Sequence, residues 1–292
     1  MRHLARSYVL VLCLLLGPGS LLSQVPFSGC VDRHLQPIPG RVDNTITSAA
    51  VASREGGHPV ILWNQHNLSR VSTPAQLFVY LHECAHHNLN HLTKGESRSI
   101  EDQADCWAYQ LLVDGDMLNG SQLDALESDL RRWPGDINHL GGERLLQSVR
   151  ACVAIRTDPD AWKPALQALV AAASDSFHSV TGPQIIDAPP GVYEALQGTP
   201  GTFDCEVIQQ AALRCLVYAG RKQKAAEKRF STLADIVDHW LPSGWMATRP
   251  TGEDENFVHT YIAQDGDRGT LIVLGVTATA RVYFFVKPAK AA

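Results

Sequence analysis

Beyond its first 23 residues the sequence has no apolar run long enough to cross a bilayer, and nowhere does it carry a basic run. The first absence excludes a helical membrane enzyme, since a spanning helix needs about 20 apolar residues. The second excludes nucleic acid as a partner: Lys and Arg number 25 against 30 Asp and Glu, a formal net charge of −5. Residues 203–292 also lack a phosphate loop, a nucleophile elbow and any concentration of metal ligands, so the chemistry of the chain is sought upstream.

What is present begins with a leader. Arg2 and Arg6 precede an apolar run over residues 8–16, which Gly17-Pro18-Gly19-Ser20 interrupts. That pattern reads as a secretory signal peptide ending near Ser20 or Ser23. Phe27-Ser28-Gly29-Cys30 matches a lipidation box only in part. Of seven cysteines, Cys13 leaves with the leader, and six remain at 30, 84, 106, 152, 205 and 215. An even number in an exported chain implies disulfides, and places the protein in the periplasm or outside the cell. Cys205 and Cys215 sit where they can bridge two neighbouring strands.

The densest chemistry lies at His82-Glu83-Cys84-Ala85-His86. Thr73 as N-cap, Pro74 at the first helical position and Gln76 completing a capping box predict a helix start. Leu77, Leu81, Ala85 and Leu89 then recur every fourth residue as one buried stripe. On such a helix His82 and His86 leave the same face one turn apart, a separation at which two ring nitrogens hold one Zn²⁺. Glu83 is placed to take a proton from a water held there, without being a ligand itself. His87 is expected in solvent, and His91 as a packing or hydrogen-bonding residue. Cys84 points away from the metal face.

A catalytic zinc usually takes a third protein ligand. A Gly three residues after the second His and a third His three further on would supply it, but those places hold Leu89 and Leu92. The alternative is a carboxylate from a second helix. Gly95 ends the first helix in this reading, and Ser97 or Ser99 caps the next. There Ile100, Ala104, Trp107, Ala108, Leu111 and Leu112 share one face, and Glu101 and Asp105 point together toward the first helix. Glu101 becomes the third ligand, and Asp105 the acceptor that fixes the far nitrogen of a ligating histidine.

The pattern from His82 through His86 and His91 to Glu101-x-x-Ala104-Asp105 resembles the gluzincins of the HtpX and CaaX-prenyl-protease type, and is most similar to their short soluble relatives, the minigluzincins. The resemblance covers roughly residues 40–155. It implies a zinc endopeptidase with His82, His86 and Glu101 as ligands and Glu83 as general base. A His-Pro-Pro-Gly-x-x-Arg stretch found in many of these proteins has only His139 and Arg144 as counterparts here, without the prolines, so no role is carried onto either.

The fold expected is α+β: a mostly helical zincin-like domain with a small edge sheet over residues 24–175, a Pro/Gly-rich linker over 176–202, and a small α+β domain over 203–292. In the first domain, 45–53 and 58–64 read as strands separated by Glu55-Gly56-Gly57, and 122–132, 141–155 and 160–173 as helices. A strand beside the zinc helix serves either as core sheet or as the edge on which an extended peptide pairs. Trp63 lines the cleft or packs. In the last domain, residues 203–217 read as two strands, 222–240 as an amphipathic helix, and 245–248, 257–263, 270–277 and 280–287 as strands. That domain serves either to capture substrate or to dock on an envelope partner, and His239 and His259 read as structural.

The function expected is a secreted or periplasmic zinc-dependent endopeptidase, with one Zn²⁺ per chain and a protein or peptide substrate. Two other classes share these residues: a zinc-stabilised binding or chaperone-like envelope protein, and a hydrolase of a non-protein envelope amide.

Overall fold

The computed structural model describes residues 27–288 apart from 28, 33–35, 94–96, 116, 136–138, 186–187, 197, 200–201, 204, 221, 250–256, 258 and 267–268. The expected signal peptide and Gly95 lie outside the described residues. The architecture is α+β, as the sequence pattern implies.

The first elements are short strands β1 (Gly40–Val42), β2 (Ala50–Glu55) and β3 (His58–Trp63). Gly56 and Gly57 take φ of 57° and 87°, the left-handed region that lets two residues reverse the chain between β2 and β3. β1 joins parallel to β3 and β2 antiparallel to it, so the order is β1-β3-β2 and β2 is an edge strand. Trp63 packs edge-on against Phe27, with ring centroids 4.9 Å apart, and does not line the cleft.

After the single turn α1 (Gln65–Leu68) comes α2 (Thr73–Asn88), which carries the histidines. Ser72, not Thr73, is its N-cap: the Ser72 hydroxyl accepts from Ala75 N–H, while Gln76 turns back to Val71 O instead of forming a capping box. Twelve of its sixteen residues are buried, so it is no surface helix with one apolar stripe. It packs on β2, β3, α3 (Arg98–Asp114) and α4 (Gly120–Arg132), and only a helix enclosed this way hides polar residues on several faces. α2 stops at Asn88 without a glycine, since Asn90 adopts the left-handed conformation that asparagine tolerates (φ 54°).

Helices α5 (Gly142–Ile155) and α6 (Pro159–Ala173) follow close to their expected bounds. α5 packs on α3 and α4, whereas α6 packs on later elements. Two strands then form where Pro and Gly concentrate, β4 (Thr181–Gln184) and β5 (Val192–Ala195). With β6 (Cys205–Ile208), β7 (Ala212–Ala219), β8 (Trp245–Thr248), β9 (His259–Asp265), β10 (Thr270–Val276) and β11 (Arg281–Pro288) they make one antiparallel sheet, ordered β4-β5-β6-β7-β11-β10-β9-β8. Pro183 sits in β4, an edge strand, where its missing N–H breaks no internal ladder. α7 (Gln223–Trp240) covers the sheet over β7, β10 and β11, and α6 packs against α7 and β11.

Three disulfides join Cys30 to Cys84, Cys106 to Cys152 and Cys205 to Cys215. The first anchors the N-terminal segment to α2, and it occupies the cysteine of the partial lipidation box. The second ties α3 to α5, and the third bridges β6 and β7 as the sequence pattern suggests. Among the described residues no helix is long and apolar enough to cross a membrane.

Candidate metal centre

α2 and α3 lie side by side, and their facing surfaces bring His82, His86 and Glu101 together, with one ligand atom from each inside a 4.8 Å span. All three are buried. The two Nε2 atoms face each other at 3.0 Å, and Glu101 Oε2 lies 3.1 Å from His82 Nε2 and 3.3 Å from His86 Nε2. Two imidazole lone pairs and a carboxylate converging on one point form a donor set that suits a divalent cation. The group could hold a metal ion, and the chemistry of the donors fits one.

The rings are fixed from behind. Asp105 Oδ1 lies 2.8 Å from His82 Nδ1, a contact that would keep a proton on that nitrogen and leave Nε2 for a metal. The same logic extends to His86 through a longer relay. Gln103 Oε1 lies 3.4 Å from His91 Nε2, and His91 Nδ1 lies 3.2 Å from His86 Nδ1. With Gln103 accepting from His91 Nε2, His91 Nδ1 would accept from His86 Nδ1 and leave His86 Nε2 for a metal. His91 is 2 % exposed, and its hydrogen-bonding role matches the sequence reading; Gln103 escaped that reading because its spacing to His91 matches no motif.

His87 corrects an expectation: it is buried, with Nε2 3.1 Å from Val60 O on β3, because α2 is covered by the small sheet on that flank. Burial holds its imidazole below the usual value, and His86 adds to this, so it stays neutral.

Electrostatics around the triad are strongly coupled. Burial pushes His82 toward the neutral form, but Asp105 and then Glu101 outweigh it, and the ring is held well above its ordinary value. Burial also opposes ionisation of Glu101, yet His139, His82 and His86 hold its carboxyl far below the carboxylate range. His139 Nε2 lies 3.0 Å from Glu101 Oε2, so the residue from the incomplete family motif reaches the centre. Arg144 is exposed on α5 and does not line the cleft.

Glu83 sits beside the triad with one oxygen, Oε2, accepting from Ala52 N–H at 2.6 Å. Ala52 belongs to β2, so this N–H points away from β3 toward the metal face. The centre opens into a cleft of about 1160 Å³, walled by residues 47–52 on one side and by Phe78, Trp133, His139 and Leu140 on others.

No protein-family model, curated protein or solved structure matches this chain.

Proposed function

We propose that the protein is a zinc-dependent endopeptidase that works outside the cytoplasm. One observation carries the reading: the Glu83 carboxylate stands between the buried His82, His86 and Glu101 group and the free edge of β2, at the head of a large cleft. His82, His86 and Glu101 would hold the metal, which when bound acidifies a water and polarises a carbonyl. Glu83 would then take the proton from the attacking water and return it to the departing amine. An extended peptide adding to β2 places its backbone alongside Glu83, with N–H and C=O groups satisfied by the edge strand. Asp105 and His91 would keep both imidazoles in the tautomer a metal requires. The three disulfides suit an oxidising compartment and support export.

The test compares wild type with Glu83→Gln for bound zinc and for cleavage of casein and a peptide library. Wild type is expected to hold one zinc and to cleave, and the variant to hold zinc while losing turnover by about 10²-fold or more. Zinc bound by both with no cleavage by either overturns the peptidase reading in favour of a zinc-stabilised binding protein.

A further inference from the structure

A second charged cluster lies at the junction of the N-terminal helices with the C-terminal sheet and its helix. Arg156 follows the last residue of α5 and is 0 % exposed; Arg229 lies in the middle of α7 and is 4 % exposed. Arg229 Nη1 donates to Arg156 O at 3.2 Å, which fixes the two residues side by side. The Arg156 guanidinium carbon stands 4.2 Å from the centre of the Phe203 ring. Among the described residues, Nε, Nη1 and Nη2 of Arg156 and Nε and Nη2 of Arg229 have no hydrogen-bond partner. Asp114, the last residue of α3, attracts both guanidiniums through space but bonds none of those five nitrogens.

Such an arrangement does not balance as it stands. Arginine keeps its proton at neutral pH, and a buried ion without a partner is strongly unfavourable. Burial lowers Arg229 only to about 10, so it is still charged at pH 7. The Phe203 face offsets part of the cost of one guanidinium, and Asp114 one unit of charge, against two cations. One positive charge and five donor nitrogens are left over.

We propose that a small monoanion of chloride size binds between Arg156 and Arg229, accepts hydrogen bonds from their orphaned nitrogens, and so ties the end of α5 to α7. A monoanion brings the local charge to zero with Asp114. Full burial favours a compact ion over a peptide or sugar group, which could not enter. Neither arginine lines the cleft at the His82, His86 and Glu101 group, so the ion stabilises the union of the two parts of the chain and takes no part in turnover.

The full chain, disulfides intact, is unfolded and refolded in sodium chloride or in sodium gluconate of equal ionic strength, gluconate being too bulky for the site. Wild type should melt several degrees higher in chloride, with a saturable dependence on its concentration, and Arg229→Met should lose that difference. Crystals of wild type grown in sodium bromide should show an anomalous peak within hydrogen-bond reach of both guanidiniums. Equal melting in the two salts, or an ordered site with no bromide peak, overturns the proposal. The bromide experiment uses wild type alone, and so decides the matter even where the Arg229 variant does not fold.

Discussion

At the scale of single residues, the centre is governed by proton placement. Two histidines at helical spacing point the same way, but each has two nitrogens, and only the one turned from its hydrogen-bond partner can meet a metal. Asp105 sets His82, and the Gln103–His91 pair sets His86. His91→Phe keeps the bulk of the buried ring but removes the acceptor for His86 Nδ1–H. Zinc affinity should fall by about 10- to 100-fold, measured by competition with a chromogenic chelator. An unchanged affinity would mean that another group orients His86. Sequence spacing exposed the shared face of His82 and His86 because one turn of helix is local geometry; it could not expose Gln103, which meets His91 only because α3 packs beside α2.

At the scale of elements, the helices that support the centre are joined by an ionic tie between the buried Glu127 and the exposed Arg150. Tyr109 Oη on α3 donates to Glu127 Oε1 on α4 at 2.7 Å, and Arg150 on α5 donates to both Glu127 oxygens, through Nε at 2.9 Å and through Nη2. Burial opposes the Glu127 charge, but Arg150 and Tyr109 outweigh it and hold its carboxyl below the usual range. A depressed folded value contributes stability that is present above the unfolded value, about 4.3 for Glu, and lost as pH falls through the folded one. Glu127→Gln should therefore cost about 1–3 kcal/mol at pH 7 and flatten the acid limb of the stability curve, as followed by urea unfolding at several pH values. If the variant and wild type lose stability in parallel below pH 4, the tie does not govern the acid limb. None of the three residues stands out in the sequence, since 109, 127 and 150 belong to separate helices and share no period.

At the scale of the whole molecule, one apolar core runs from α2 and α3 through α6 and α7 into the large sheet. Trp162 on α6 is fully buried and meets the Phe284 ring of β11 edge-on, with centroids 6.1 Å apart. Arg281, also on β11, donates to Asp32 O at 3.1 Å and to Asn88 Oδ1 at the end of α2 at 3.3 Å. The C-terminal sheet thus reaches the helix that carries the histidines. Trp162→Ala should destabilise the protein by about 3–5 kcal/mol, read from denaturant midpoints at constant slope. A loss under 1 kcal/mol would show that this part of the core collapses to fill the space.

The sequence by itself determined the α+β class, most of the helices and strands, the bridge between Cys205 and Cys215, and the helical face shared by His82 and His86. The helices, strands and histidine face follow from residue spacing along a single element, because periods of 3.6 and 2.0 are properties of the local backbone, and the bridge from two strands adjacent in the sequence. Tertiary structure alone decided the rest. It buried His87 under β3, paired Cys30 with Cys84 and Cys106 with Cys152, and drew β4 and β5 out of a Pro- and Gly-rich stretch into the sheet. It also brought Ala52 N–H to Glu83 and, among the described residues, left Arg156 beside Arg229 without a carboxylate bonded to them. These contacts join residues far apart in the chain, and their energies depend on what packing removes from water, which no single element encodes.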